Sequence, residues 1–314
     1  MHALLFDRFG AADVLEFREI AGPRPAPGHA IVRTRAIGLN FADIYRRNGN
    51  YHLSGTSPWI LGYEAAGVIE SIDGEGFAIG DRVAFADSPQ ANAELVSVPI
   101  ERLVPLPDDI SFETAAALML QGLTAQYLVR ESHRVVAGER VLVHAAAGGV
   151  GLLLVQLAKA AGAIVTGLVS SEEKRVAALE AGADEVLLTG DDWSSAARFD
   201  VVYDSVGATL TRSLDAVRVR GHVVFFGMAA GDPALVDPRR LMDESKTLTG
   251  GDLWSFLTSA EERRTRAARL FDDVRAGRLT PRIARTFALS DGAEAHRFLE
   301  SRKAIGKVLL IPSS

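Results

Sequence analysis

The stretch VLVHAAAGGVGLLLVQLAKAAGAIVTGLVSSEEK, residues 141–174, decides the fold. It begins with an apolar run short enough for a buried strand and passes directly into the turn AAAGGVG, residues 145–151. An apolar helix face and a second strand-like run, 164–169, follow. This order is typical of a dinucleotide-binding unit, because the turn brings backbone N–H groups and a helix N-terminus against a pyrophosphate.

The glycines of this turn lie where such a unit needs them. Ala146 stands in the first glycine position of GxGxxG, and Gly148 and Gly151 stand in the second and third. Missing side chains at Gly148 and Gly149 let phosphate oxygens approach the backbone, and Gly151 lets the helix lie close to the strand. The predicted cofactor contacts of the turn are Ala146, Gly148, Gly149, Val150 and Gly151. An ordinary strand-to-helix turn is the alternative.

The end of the second strand decides which dinucleotide fits. An acid there would accept hydrogen bonds from an adenosine ribose, but the chain has Ser170 and Ser171, with Lys174 close behind. A charge-assisted hydrogen bond of roughly 1.5 to 3 kcal/mol from Lys174 would favour a 2′-phosphate by about ten- to a hundred-fold. Ser170 and Lys174 therefore predict NADPH. Alternatively, Lys174 is solvated and Glu172 or Glu173 holds the ribose.

Composition narrows the class of protein. A chain of 314 residues, 48% hydrophobic, can bury a large core and favours two domains. A net charge of -6 gives no reason to expect nucleic acid or anionic membrane as a partner. Cysteine is absent, which excludes disulfides and cysteine-ligated zinc. The first residues lack a charged leader, and no apolar run approaches the roughly 20 residues of a membrane span, so we expect a cytoplasmic protein.

Two halves differ in their patterning. Residues 1–107 contain short strands separated by Gly and Pro, which predicts a partly open β-barrel. Beyond residue 140, near-continuous apolar strands alternate with helices, which predicts a doubly wound parallel sheet covered on both faces. Within this half we expect a helix at 210–219 and a strand at 247–254. The fold class is α/β.

Several stretches carry a family resemblance when they are taken together. They are GLNFADIY (38–45), RNGNY (47–51), LGYEAAGV (61–68), GLTA (122–125), the glycine turn and ESR (300–302). The sequence resembles the zinc-free quinone oxidoreductases, relatives of zeta-crystallin, within the medium-chain dehydrogenase/reductase superfamily. The resemblance implies a GroES-like catalytic domain over 1–122 and 253–314, and a Rossmann domain over 123–252.

The resemblance also bears on metal. Zinc alcohol dehydrogenases of this superfamily have a catalytic cysteine and a GHE motif. Here Asn40 lies in the segment that would hold the cysteine, and Tyr63 stands where the histidine would be. Glu64 alone cannot hold zinc, which takes about three protein ligands at a catalytic site. We therefore expect no metal ion and a zinc-independent reaction.

The resemblance implies roles for further residues. Asn40 and Thr124 would orient the nicotinamide, and Tyr45 and Tyr51 would line the substrate cleft. Asn40, Tyr45 and Tyr51 are therefore the candidate catalytic residues. From the residues alone, both tyrosines could be packing residues and Asn40 could cap the helix that begins at Phe41.

Two further sets complete the implied cofactor site. Lys174 and Arg302 would hold the 2′-phosphate, although Arg302 could equally be a solvated helix-end residue. Gly227, Met228 and Ala229 would contact the nicotinamide ribose and carboxamide. The chain departs from the family at Thr189, where several quinone reductases have a tyrosine near the adenosine phosphate, and in its less polar 228–230 loop.

The predicted function follows from both lines of reasoning. We expect NADPH-dependent hydride transfer to a quinone or related conjugated carbonyl. The alternatives are an NADPH-dependent enone or enoyl-thioester reductase of the same superfamily and a non-catalytic NADPH-binding, zeta-crystallin-like protein. The expected partners are a small-molecule acceptor and a second copy of the chain in a homodimer, joined along the strand at 247–254.

Overall fold

The computed structural model describes residues 1–53, 55–195 and 198–313. The chain divides into two compact units. The first contains Met1–Leu120, Leu257–Asp272 and Pro281–Ser314, and the second contains Gln121–Phe256 and Asp273–Thr280. The predicted boundaries differ from these at 121–122, 253–256 and 273–280. Residues 273–280 join the second unit because Gln156 exchanges two hydrogen bonds with the backbone of Thr280, at 2.7 and 3.2 Å.

Strands occupy both units. In chain order they are β1 (His2–Phe6), β2 (Glu16–Glu19), β3 (His29–Leu39), β4 (Trp59–Ile60), β5 (Glu64–Asp73), β6 (Arg82–Ala86), β7 (Leu95–Pro99), β8 (Val104–Pro105), β9 (Arg140–His144), β10 (Ile164–Val169), β11 (Glu185–Leu188), β12 (Phe199–Asp204), β13 (Val217–Phe225), β14 (Thr247–Gly250), β15 (Ile283–Ala288) and β16 (Lys307–Ile311).

Helices connect or cover these strands. They are α1 (Phe41–Arg47), α2 (Phe112–Tyr127), α3 (Gly149–Ala160), α4 (Glu172–Glu180), α5 (Leu210–Ala216), α6 (Pro238–Glu244), α7 (Ala260–Arg275) and α8 (Gly292–Glu300). The side chain of Ser111 accepts a hydrogen bond from Thr114 N–H at 3.1 Å and so caps α2. Among the described residues, every helix is too short or too polar to cross a lipid bilayer.

The second unit contains a parallel sheet. Its strand order is β11-β10-β9-β12-β13-β14, which is the 3-2-1-4-5-6 order of a Rossmann fold. The central strands are buried on both faces, and their core includes Leu142, Leu168 and Val202. The carboxyl ends of β9 and β12, which lie on either side of the change in strand direction, therefore form the expected ligand edge.

The first unit contains a mainly antiparallel sheet. Its strands follow the order β15-β16-β3-β5-β6-β8, with β7 paired to β3, and a separate small sheet has the order β2-β1-β4. A continuous apolar core that includes Phe6, Ile37, Phe85 and Leu310 holds these strands together. The predicted fold class, a Rossmann-type sheet with a GroES-like β-domain, is confirmed.

Two predicted elements have different bounds. The helix expected at 210–219 ends at Ala216, because Val217 begins β13 and pairs with Phe199 of β12. The strand expected at 247–254 ends at Gly250 and is followed by a short 3-10 turn, Leu253–Ser255. Hydrophobic periodicity does not fix where these two elements end, because a short apolar run is compatible with both a helix end and a buried strand.

Candidate functional site

The turn that follows β9 is tightly packed. Ala145, its first residue, has a φ of 47°, in the left-handed region that residues with a Cβ rarely adopt. Ala146 N–H donates to the Leu168 carbonyl at 3.1 Å, and Gly148 N–H donates to the Ala145 carbonyl at 2.8 Å. A Cβ at Gly151 would lie under 3.0 Å from the Ala145 carbonyl oxygen, so only glycine lets α3 approach this closely.

The N-terminus of α3 lies directly against this turn. The helix begins at Gly149, and its N-cap residue, Gly148, has no side chain that could cap it. The first N–H groups of any α-helix lack intrahelical partners, and here they belong to a glycine-rich segment that includes Val150. Backbone donors, a helix dipole and missing side chains together fit a pyrophosphate.

The end of β10 brings two of the predicted cofactor residues together. Lys174 Nζ donates to Ser170 Oγ at 3.1 Å, and Lys174 N–H donates to the capping Ser171 Oγ at 3.4 Å. Glu172, the alternative ribose acceptor, lies 2.8 Å from Arg175 in an ion pair. The strand end therefore presents an ammonium and a hydroxyl, which suit a phosphate better than a neutral ribose.

The loops after β12 and β13 are joined at the same edge of the sheet. Ala229 N–H donates to the Ser205 carbonyl at 3.1 Å, and a Cβ at Gly227 would lie 3.0 Å from the same oxygen. Met228 lies between these two contacts. The predicted nicotinamide-side residues 227–229 therefore follow a strand end of the nucleotide-binding sheet, as a ligand loop of this fold does.

A buried polar network supports the same edge, and the sequence did not reveal it. Ser213 Oγ donates to Asp204 Oδ2 at 2.6 Å and lies 3.2 Å from His144 Nε2, while Thr209 Oγ1 lies 2.9 Å from Asp204 Oδ2. Burial lowers the pKa of His144 despite the neighbouring carboxylate. Asp204 also accepts from Val206 N–H at 2.8 Å. The position of His144 directly before the glycine turn was the available signal.

In the first unit, Asn40 belongs to a second buried network. Its side-chain nitrogen donates to Glu64 Oε2 at 2.9 Å and to the Gly38 carbonyl at 3.2 Å. Its side-chain oxygen accepts from Lys307 Nζ at 2.9 Å, and Lys307 Nζ also lies 2.5 Å from Glu64 Oε2. The amide of Asn40 is thus held in one orientation by groups from three strands.

Charge and burial oppose each other in this network. Burial lowers the pKa of Lys307, against the attraction of Glu64. Burial also raises the pKa of Asp43, whose carboxylate accepts Asn40 N–H at 2.9 Å in a capping box. Asn40 therefore occupies the N-cap position of α1, which is one of the two roles predicted for it. Sequence patterns missed Lys307 because it lies 243 residues from Glu64.

The two candidate tyrosines lie together. The rings of Tyr45 and Tyr51 are 6.3 Å apart in an edge-to-face arrangement, and Phe41 lies 6.4 Å from Tyr45. Both tyrosines are partly exposed, unlike the neighbouring Tyr63, which is buried. An aromatic surface with polar tips suits a flat conjugated molecule.

The remaining predicted residues lie on separate elements. Thr124 is buried on α2, and Thr189 N–H pairs with the Val169 carbonyl at 2.8 Å beside the end of β10. Arg302 follows α8, is exposed and has a φ of 57°. The grouping of Arg302 with Lys174 and of Thr124 with Asn40 stays a prediction.

Acidic and imidazole groups are dispersed in the part of the chain that the structure describes. No three His, Cys, Asp or Glu side chains there are close enough together to hold a metal ion. Glu64 instead accepts from Lys307, Asn40 and, through Oε1, from Leu120 N–H at 2.6 Å.

Comparison with known proteins places both units in one class. Residues 26–140 match the Alcohol dehydrogenase GroES-like domain, and residues 181–310 match a family described as Zinc-binding dehydrogenase. This pairing of a GroES-like domain with a Rossmann sheet defines the medium-chain dehydrogenase/reductase superfamily.

Full-length relatives narrow the class further. A quinone oxidoreductase from Pseudomonas aeruginosa is 41% identical, with 98% of each chain covered, and a 2-haloacrylate reductase from Burkholderia is 36% identical over 99% of each chain. The crystal structure of Escherichia coli quinone oxidoreductase complexed with NADPH superposes with a TM-score of 0.96, at 36% identity, covering 99% of this chain and 100% of the other. The chain belongs to the quinone oxidoreductase family of oxidoreductases, as its sequence predicts.

Proposed function

We propose that this enzyme uses NADPH to reduce a quinone or related conjugated carbonyl compound without zinc. The observation that carries the NADPH assignment is the Lys174–Ser170 pair at the end of β10, next to a glycine turn that fits a pyrophosphate. The NADPH complex of the Escherichia coli relative supports it. We also propose that residues 123–252 bind the dinucleotide and that residues 1–122 and 253–314 bind the acceptor.

The acceptor assignment is supported by the aromatic surface and by the relatives. Tyr45 and Tyr51 offer two rings to a planar molecule, and the full-length relatives include quinone oxidoreductases. Zinc independence is supported by the donor set: the sequence has no cysteine, and Tyr63 replaces the motif histidine. Glu64 is already neutralised by Lys307.

When bound, NADPH supplies a hydride from its nicotinamide ring. The chain's own groups hold the two reactants: the α3 N-terminus and Lys174 hold phosphates, and the tyrosine pair stacks against the acceptor. Positioning two reactants about 3 to 3.5 Å apart can supply a large part of the rate. A quinone needs little acid assistance, whereas reduction of an enone carbon–carbon double bond also requires a proton, for which Tyr51 is the proposed donor.

A panel of acceptors tests this function. Loss of NADPH absorbance with naphthoquinones, at a rate that depends on quinone concentration, is the expected result. Tyr51→Phe should leave quinone reduction nearly unchanged and slow enone reduction by roughly a hundred-fold. Equal and small effects on both acceptors would remove Tyr51 from the reaction.

Enone reduction is the second candidate function. The 2-haloacrylate reductase relative favours it, because that enzyme's named acceptor contains a carbon–carbon double bond conjugated to a carboxyl group. The ratio of kcat/KM for a naphthoquinone to that for an alkyl vinyl ketone separates the two candidates. A homodimer joined along β14, the last strand of its sheet in the described chain, is also proposed, and light scattering tests it.

A further inference from the structure

Arg46, on α1, lies between two tyrosine rings. Its guanidinium carbon is 3.7 Å from the centroid of Tyr63 and 5.1 Å from that of Tyr51, and the side chain is fully buried. Nε donates to the His52 carbonyl at 3.1 Å, on the segment that carries Tyr51. Arg46 therefore fixes this segment to the helix and places a cation against the face of Tyr51.

Burying the Arg46 cation in this way is energetically unfavourable, which suggests a functional role for it. Nη1 reaches Asp43 Oδ1 only at 3.5 Å, and Nη2 has no hydrogen-bond partner in the described chain. A buried guanidinium with an unsatisfied donor is unfavourable. Burial raises the pKa of Asp43, whereas the attraction of Arg46 lowers it. The rings of Tyr51 and Tyr63 add a further attraction for the guanidinium.

We propose that Arg46 is a positioning residue for enone reduction, which holds Tyr51 in place and stabilises the phenolate that forms when Tyr51 gives up its proton. The inference rests on the proposed function of Tyr51. In the balanced step, the acceptor takes at its β-carbon the hydride that bound NADPH would supply, with NADP⁺ as the oxidised product, and its double-bond electrons move toward the carbonyl. The Tyr51 O–H bond breaks and its proton goes to the α-carbon, and a proton from solvent then restores the phenol.

The surroundings of Tyr51 identify the other groups that could influence its ionisation. The His52 ring lies 3.9 Å from the Tyr51 ring, and the Tyr45 ring lies 6.3 Å away. Asp43 Oδ1 lies 3.5 Å from Nη1 of the Arg46 guanidinium. The alkaline limb of the pH profile with the enone is therefore expected to follow the loss of the Tyr51 phenol proton.

The test compares Arg46→Gln, which removes the charge, with Arg46→Lys, which keeps it. With an alkyl vinyl ketone, Arg46→Gln should lower kcat about tenfold and move the alkaline limb of kcat/KM up by about one pH unit. Arg46→Lys should keep most of the activity and a limb near the wild-type position. With a naphthoquinone, any loss caused by a displaced Tyr51 ring should appear in KM, and kcat should change less than it does with the enone. A folded Arg46→Gln enzyme with an unmoved limb, or with equal losses of kcat on both acceptors, overturns the proposal.

Two controls distinguish a failure of the role proposed for Arg46 from a failure of the role proposed for Tyr51. If Tyr51→Phe leaves enone reduction intact, the proposed role of Tyr51 itself fails. If Tyr51→Phe slows it but Arg46→Gln does not move the limb, only the role of Arg46 fails. Should Arg46→Gln not fold, 3-fluorotyrosine at position 51 in the otherwise native chain gives the answer by fluorine NMR. Its ionisation midpoint should lie below that of the denatured chain, and an equal or higher midpoint overturns the proposal.

Discussion

At the scale of single residues, we propose that Lys174 decides the choice of coenzyme. Its ammonium donates to Ser170 Oγ at 3.1 Å, at a strand end where Ser170 and Ser171 stand in place of a ribose-binding acid. Lys174→Gln should raise the Kd for NADPH about ten- to a hundred-fold and leave the Kd for NADH within about twofold. Fluorescence titration with both coenzymes measures this. Equal weakening of NADPH and NADH binding would show that Lys174 supports the site without reading the phosphate.

His296 gives a residue-scale prediction about stability. Burial, reinforced by Arg47, lowers the pKa of His296 from 6.5 to about 3. Arg47 Nη1 lies 3.0 Å from His296 Nδ1, which must therefore be the unprotonated nitrogen. Between these two values the unfolded chain binds the proton and the folded chain does not, so stability falls as the pH falls below 6.5.

The expected contribution is about 1.4 kcal/mol for each pH unit in this window. His296→Asn keeps an acceptor for Arg47 and cannot titrate. The free energy of unfolding, measured with urea at several values between about pH 6.5 and pH 5, should therefore fall less steeply with falling pH in the variant. The same pH dependence in both proteins would mean that His296 is protonated in the folded state.

At the scale of elements, the approach of α3 to the turn after β9 depends on one glycine. A Cβ at Gly151 would lie under 3.0 Å from the Ala145 carbonyl oxygen, whereas a Cβ at Gly190 would meet nothing within 4 Å. Gly151→Ala should therefore destabilise the fold by about 1 to 3 kcal/mol and weaken NADPH binding at least about tenfold. Gly190→Ala is the matched control. Normal NADPH binding by Gly151→Ala would show that the helix can withdraw without loss of the site.

The elements also show what sequence reasoning can reach. The strand, glycine turn and helix at 141–174 were predictable because each depends on neighbours in sequence. The Ser170–Lys174 contact was predictable for the same reason, as it spans a single helical turn. Networks that join distant strands were not: Lys307 meets Glu64 through the β16, β3 and β5 pairings, which no local pattern encodes. The sandwich around Arg46 was missed because periodicity does not reveal ring stacking.

At the scale of the whole molecule, charge and composition bear on the metal question. The chain has no cysteine anywhere in its 314 residues, and Tyr63 stands in the place of the motif histidine. The one acid of that motif, Glu64, lies 2.5 Å from the ammonium of Lys307 and also accepts from Asn40. A zinc ion there would have to displace a buried cation and would find too few ligands.

We therefore expect quinone reduction to survive a strong chelator. After incubation with phenanthroline and gel filtration, kcat should stay within about twofold of its starting value, and added zinc should not raise it. Elemental analysis of the same sample measures bound metal, with Glu64→Gln as a companion variant that removes the only motif carboxylate. The metal-free reaction would be contradicted if chelation abolished activity and stoichiometric zinc restored it, while the Glu64→Gln variant showed no such response to chelation and zinc. Such a result would also require Lys307 to give up its contact with Glu64 when the metal binds.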